Sequence, residues 1–255
     1  MMQANSTVRR AIRFARRLPE ICRNDLRYRV LFLLPRWFRM PSQVFVAGQH
    51  VPLALPGNDA AGADFIQCFM WNAYGLGHGL PEVRTILDIG AHAGFFSLAA
   101  RGRYPAATIH AYEPNPRILP FLRANTAASG VTVFPEALGG TEGFVAIVDD
   151  GPSDQARTRP AVEGAGAIRQ VGLETAIERI GGKVDLLKLD CEGAEFQILR
   201  PAGFWDRVRH IRLEYHLYSG GSVDELKSAL AKLGFSVIRL RQEHAEAGII
   251  WAARA

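Results

Sequence analysis

From residue 43 onward the chain alternates between two hydrophobic periods. Gln43–Ala47 and Val51–Leu55 place apolar residues at every second position on either side of Gly48-Gln49, which predicts two short strands joined as a hairpin. Asp64–Tyr74 changes to helical spacing and stops at Gly75, Gly77 and Gly79. Strands are then expected at Thr85–Ile89, Thr108–Tyr112, Val131–Phe134, Phe144–Val148, Val184–Asp190 and Ile211–His216. Between them fall helical patterns at Gly94–Arg101, Pro116–Ser129, Leu173–Ile180, Glu195–Leu199 and Val223–Leu233. Two last strands, Phe235–Leu240 and Ile249–Ala253, flank a polar turn and are expected to pair antiparallel. Asp149–Gln170, rich in Gly, Pro, Arg and Ser, reads as a long surface loop or lid. Strands alternating with helices imply an α/β, Rossmann-like fold. Its sheet should be mostly parallel with a C-terminal antiparallel hairpin and helices on both faces. Residues 41–255 form one such domain, with no internal repeat.

Residues 1–40 follow another rule. Val8, Ala11, Ile12, Ala15 and Leu18 recur at helical spacing while Arg9, Arg10, Arg13, Arg16 and Arg17 fill the opposite face, and a second apolar cluster spans Leu26–Met40. These 40 residues hold ten arginines and two acids, so they carry +8, although the whole chain of 255 residues is only +5. The remaining body is therefore −3, and the basic balance belongs to the leader alone. An amphipathic leader of this kind suits peripheral contact with an anionic membrane, an organelle transit role, or simple packing on the body. The longest strongly apolar run, Val30–Leu34, is far too short to cross a bilayer. Cys22, Cys68 and Cys191 lie far apart with no disulfide or metal spacing, so a reducing cytoplasm, extending to the inner face of a membrane, is the expected location.

In an open parallel sheet, ligands bind beyond the carboxyl ends of the strands. After the first body strand comes Asp88-Ile89-Gly90-Ala91-His92-Ala93-Gly94, a strand–turn–helix passage whose glycines let the backbone approach a nucleotide. A dinucleotide turn wants glycines at positions that here are His92 and Phe95. The turn is thus expected to hold a nucleoside without a diphosphate, with S-adenosylmethionine the natural candidate and Asp88 a partner for its ammonium group. The next strand ends Glu113-Pro114-Asn115-Pro116, where a carboxylate could accept from both ribose hydroxyls.

A second group of ionisable residues follows. Lys188 sits inside an apolar strand, and a period of two places Asp190 on its face, with Glu192 beyond and Glu195 in a helix first turn. Glu214 and His216 share a face at the end of the next strand. His216 is the first candidate for a general base, oriented by Glu214 or Asp190, with Asp190 or Glu192 second. A hard divalent ion held by Asp190, Glu192, Glu214 and His216 is an alternative, but no spacing is diagnostic and no metal is predicted. Trp71, Tyr74, Arg157 and Arg159 could touch an acceptor, whose identity nothing in these loops encodes.

These segments resemble the FkbM-type family of S-adenosylmethionine-dependent methyltransferases. The likeness rests on Asp88-Ile89-Gly90-Ala91-His92-Ala93-Gly94-Phe95-Phe96-Ser97, Glu113-Pro114-Asn115-Pro116, Ala137-Leu138-Gly139, Lys188-Leu189-Asp190-Cys191-Glu192-Gly193-Ala194-Glu195 and Glu214-Tyr215-His216, in that order. It spans about residues 43–218, with His92 standing where the family usually has Asn. It implies a class I methyltransferase fold and, for the most part, O-methylation of sugars, glycolipids or natural products. By position, Asp88, Gly90, Ala91, His92, Gly94, Glu113, Pro114 and Asn115 would hold the cofactor, with Glu136 and Ala137 beside its adenine. Two rival readings are an RNA-binding or RNA-modifying protein using the Arg-rich leader, and a nucleotide-linked oxidoreductase. The first sits poorly with an acidic body, the second with the missing glycines.

Overall fold

A computed structural model of the chain describes residues 21–28, 30–34, 36–57, 60–80, 82–148, 157–200, 203–218 and 220–254, together with Ala15, Leu18 and Pro19. The helix expected over Val8–Leu18 lies largely outside these residues. A helix over residues 21–28 (α1) leads through short turns to the hairpin β1 (Gln43–Val46) and β2 (Gln49–Pro52). Its turn falls on Ala47 and Gly48, both at positive φ, so each strand is shorter than its hydrophobic pattern. Helix α2 (Ala60–Phe65) then widens into a π-helical stretch, Ile66–Met70, ending four residues before the expected Tyr74.

The central sheet is built from β3 (Thr85–Ile89), β4 (Thr108–Tyr112), β5 (Val131–Phe134), β10 (Val184–Leu189), β11 (Val208–His216), β12 (Phe235–Gln242) and β13 (Ala247–Arg254). Their order is β12-β13-β11-β10-β3-β4-β5. Only β13 runs against its neighbours β11 and β12; the other pairs are parallel. This is the class I methyltransferase arrangement that the resemblance implies. Helices α3 (Phe95–Arg103), α4 (Leu119–Thr126), α5 (Leu173–Arg179), α6 (Glu195–Ile198) and α7 (Val223–Lys232) cover its faces.

Alternation along the strands assigns each face. Leu87, Ile89, Leu187, Leu189, Ile211 and Leu213 pack with α5, α6 and α7 residues such as Ile177, Ile198 and Leu230. Ile86, Ile109, Leu186 and Trp251 face the other way, toward α3, the hairpin, the π-helical stretch and the leader. Ile21 and Val30 are buried in that second cluster, so the boundary drawn at residue 40 is not a physical one.

The segment expected to be one long loop instead contains two strands. β7 (Gly143–Val148), β8 (Arg157–Ala161), β9 (Ile168–Gly172) and the short β6 (Ala137–Gly139) form a separate sheet in the order β6-β9-β7-β8. β7 matches the strand expected at Phe144–Val148, whereas β8 and β9 carry Gly, Pro and Arg, which conceals them from a hydrophobic reading. The part of the loop at residues 149–156 lies outside the described residues.

On the second face, register sets Asp88 beside Lys188, Lys188 beside Arg212, and Arg212 beside Trp251. Arg212 is fully buried, and burial pushes its guanidinium down to about 10. It donates through Nε to the Tyr74 carbonyl (2.7 Å) and through Nη2 to the His78 carbonyl (3.2 Å), while lying over the Trp251 ring. It therefore pins the 71–80 loop to the sheet. Arg212→Ala would leave two carbonyls without donors at about 1–3 kcal/mol each, so urea unfolding is expected to show a loss of roughly 2–4 kcal/mol.

Candidate active site

One cavity of about 370 Å³ opens at the carboxyl ends of β3, β4, β10 and β11. One side is formed by Ile89, Gly90, His92, Glu113, Pro114, Asn115, Ala137 and Leu138, and the facing wall by Asp190, Glu192, Glu214 and His216. Parallel strands end together here, and every chain segment leaving them must turn away, which opens the space.

Gly90 is required by contact as well as conformation. Its φ is 72°, and a Cβ at this position would lie 1.8 Å from the Asp190 carbonyl oxygen. The two strand ends thus meet at a point only glycine can occupy. Gly94, also left-handed, does not line the cavity: a Cβ there would meet Leu122 at 2.8 Å, so it admits close packing of α3 on α4. Glu113 is buried and accepts from the His92 N–H and the Asn115 N–H, both at 2.8 Å. Each carboxylate oxygen keeps acceptor capacity beyond that one bond, and Glu113 lines the cavity, as binding of a ribose diol would require. The His92 ring bonds Asp64 at 2.6 Å, tying α2 to the same turn.

Besides Gly94, three more of the residues expected to hold the cofactor do not line this cavity. Asp88 does not face the cavity: it is fully buried, accepting from Ser97 Oγ at 2.6 Å with Lys188 Nζ 3.4 Å away. Glu136 turns from the adenine side to pair with Arg179, whereas Ala137 and Leu138 remain on the cavity wall. Ala91 lines only a small adjoining recess with Lys188 and Tyr74.

The opposite wall also differs in its pairing. Lys188 is buried and donates to the Gly90 carbonyl, with Asp190 at 3.3 Å. Burial alone would lower its pKa, but the charges of Asp190 and Asp88 outweigh that and raise it. It is a fixed cation that holds the site together, and it has no free pair to act as a base. His216 is oriented not by Glu214 or Asp190 but by Glu195, whose Oε1 lies 3.1 Å from Nδ1. Its Nε2 lies 3.5 Å from Glu192. Burial opposes the imidazolium, yet the Glu195 hydrogen bond and the Glu192 and Asp190 charges raise His216 to about 9. Glu214 accepts from the Tyr74 hydroxyl at 2.5 Å and is raised to about 8, by burial first and by Asp190 second. Burial and then Asp190 raise Glu192 to about 7, while the Tyr218 hydroxyl donates to it.

Tyr218 joins the wall without having been singled out, while Tyr74, expected only as a candidate acceptor contact, and Glu195, expected as a helix-start acid, enter it as partners of Glu214 and His216. Tyr218 continues the two-residue period of Glu214 and His216, a signal the sequence carried; Tyr74, expected at the end of a helix, lies instead in the loop beyond the π-helical stretch. Asp190, Glu192 and His216 each offer a ligand atom within 4.8 Å of the others, a hard donor set that could hold a divalent ion. Lys188 and the Tyr218 hydroxyl compete for the same carboxylates.

The glycine turn, the buried Glu113 carboxylate and the charged wall meet across one cavity. The methyltransferase FkbM domain matches residues 88–237, and the chain belongs to that family. Methyltransferase sdnD of Sordaria araneosa is 30% identical over 65% of this chain and 79% of its own length. The 31-O-demethyl-FK506 methyltransferase FkbM of Streptomyces tacrolimicus is 29% identical over 64% and 77%. Among solved structures, the magnesium protoporphyrin IX methyltransferase of Synechocystis, with bound S-adenosylmethionine, aligns at a TM-score of 0.47 and 13% identity over 77% of this chain and 82% of that one. Family membership replaces the oxidoreductase reading.

Two substitutions check this geometry. Lys188→Met would strand the buried Asp88 carboxylate and is expected to lower unfolding free energy by about 3–5 kcal/mol, with partial recovery in Lys188→Met/Asp88→Asn. In Glu113→Gln the amide NH₂ must face one of two backbone N–H groups. Calorimetry is expected to show S-adenosylmethionine affinity weakened roughly tenfold in a folded protein.

Proposed function

We propose that the protein methylates a hydroxyl oxygen of a sugar, glycolipid or natural-product acceptor. The observation that carries this reading is the carboxylate–imidazole wall, Asp190, Glu192, Glu214 and His216, facing the cofactor turn across a single cavity. An alcohol is a poor nucleophile until its proton has somewhere to go, and a positioned base is worth roughly 10²–10⁴ in rate. The name of the Streptomyces tacrolimicus relative, a 31-O-demethyl-FK506 methyltransferase, supports oxygen as the accepting atom.

When bound, S-adenosylmethionine supplies an electrophilic methyl group on a sulfonium. The chain's own residues align the acceptor and take its proton. Glu192 is the residue poised for this, because its carboxyl sits near neutrality at about 7. His216, at about 9, is an imidazolium at neutral pH and cannot accept a proton there. Its part is to steady the Glu192 carboxylate, so the second candidate base takes the place of the first. Glu192 has a φ of 51°, and the left-handed turn it makes with Gly193 aims its side chain back across the strand end. Lys188 fixes the Gly90 and Asp190 positions against which the acceptor must be aligned.

The test is transfer of labelled methyl from the cofactor to pools of glycolipids, nucleotide sugars, small glycosides and RNA. A base-stable label that mass spectrometry places on a hydroxyl oxygen of a glycolipid, sugar or glycoside supports the reading; label confined to amines, carboxyls or RNA overturns it. Turnover is expected to rise as pH passes about 7, where Glu192 ionises, and to fall above about 9, where His216 loses its proton. Glu192→Gln is expected to lose 10²–10⁴ in kcat with cofactor binding retained.

A further inference from the structure

Residues 21–40 present two unlike sides. One is packed: Ile21 and Val30 are buried, the Tyr28 ring stands edge-on to Phe65 and Phe69, and Phe32 meets Trp71 at 5.8 Å. The other is bare. Leu26 is 82% exposed, Leu31 49%, Leu34 53% and Trp37 69%, which makes four of the eight exposed large apolar side chains among the described residues. The Leu34 N–H donates to the Leu31 carbonyl at 3.0 Å and the Trp37 N–H to the Leu34 carbonyl at 2.7 Å. Turns of three residues bring positions three apart to one side, so Leu31, Leu34 and Trp37 form a row.

Arg23, Arg27, Arg36 and Arg39 are exposed around that row. No ion pair among the described residues engages them. Asp25 is turned inward, its carboxylate accepting from the Phe32 N–H at 3.2 Å and the Leu33 N–H at 3.5 Å. The face is therefore apolar and cationic at once. Clustered exposed apolar side chains mark an interaction surface, whereas scattered ones do not. A nucleic acid would use the arginines but leave the leucines in water. A bilayer with anionic headgroups uses both, with Leu and Trp entering the acyl boundary and Arg remaining at the phosphates.

We propose that Leu26, Leu31, Leu34 and Trp37, ringed by Arg23, Arg27, Arg36 and Arg39, dock the protein on an anionic membrane surface. No helix among the described residues is long and apolar enough to cross a membrane, so the contact is peripheral. The face is backed by the same helical segment that borders the cavity. Phe65 and Phe69 meet Tyr28 on its outer side, while Asp64 and Gln67 reach the cavity on its inner side.

The test is co-sedimentation of the full chain with vesicles of phosphatidylcholine alone or with about a third phosphatidylglycerol. Binding to the anionic vesicles only, weakened by salt, is expected. Leu31→Ser/Leu34→Ser/Trp37→Ser and Arg36→Glu/Arg39→Glu should each weaken it roughly tenfold or more. All five positions are solvent-facing, so the thermal shift with S-adenosylmethionine should stay as in the parent and separates lost docking from lost folding. Absence of binding, or variants that sediment like the parent, overturns the proposal. So does a parent that is dimeric by analytical ultracentrifugation while the triple variant is monomeric, because the face would then join two copies.

Discussion

The ammonium of Lys188 is buried inside the sheet, and the arrangement around it follows from keeping that charge satisfied. An ion taken out of water is tolerable only where partners replace the lost hydration. Here they are the carboxylates of Asp88 and Asp190 and the carbonyl of Gly90, from two adjacent parallel strands and the turn beyond one of them. One cation therefore fixes the cofactor turn relative to the wall across the cavity. Register makes this robust: Lys188 lies directly beside Asp88 in the ladder, so the pair cannot separate without shearing the sheet.

The same approach of strands explains the conformation of the turns. Gly90 must lack a side chain because the Asp190 carbonyl occupies the place where a Cβ would be. Beyond Asp190 the chain has to leave at once, and it does so through Glu192 and Gly193, both at positive φ. A residue other than glycine in that conformation is disfavoured by roughly 1–2 kcal/mol. The hydrogen bond from Tyr218 and the nearby imidazolium of His216 offset it. Buried acids crowded behind one fixed cation then divide into kinds. Burial raises the proton affinity of Asp88, Glu192 and Glu214 alike; at Asp88, Lys188 and the Ser97 hydroxyl oppose it, whereas Glu192 and Glu214 are carried to about 7 and about 8.

Much of this was legible in the residues. Strands such as Val184–Leu189 are short, apolar and β-branched or leucine-rich, so period and length agree, and the glycine turn stands out because nothing else passes so close to a neighbouring backbone. Strand-end acids were legible for the same reason, since Glu113, Asp190 and Glu214 break apolar runs at fixed offsets. Partnerships across the chain were not. Glu195 looks like an ordinary acid in a helix first turn, and only the fold turns it toward His216 at 3.1 Å. Tyr74 reaches Glu214 because Arg212 holds its loop, a contact 138 residues apart in sequence. Of the second sheet only β7 was expected; β6, β8 and β9 were missed because they lack the alternation on which a strand reading depends.

Charge separates in the same way. The body, at −3, surrounds its cavity with carboxylates and suits a cationic cofactor, whereas the arginines of the leader would repel it. Keeping the two apart requires a neutral partition, and the aromatic layer supplies one. Tyr28, Phe65, Phe69 and Phe95 meet edge-to-face between the leader and the glycine turn. Arg23, Arg27, Arg36 and Arg39 are exposed on the far side of those rings, and Lys188 is the buried cation beside the cavity. A basic overall balance and an acidic site are thus compatible in one chain, because an apolar wall stands between them.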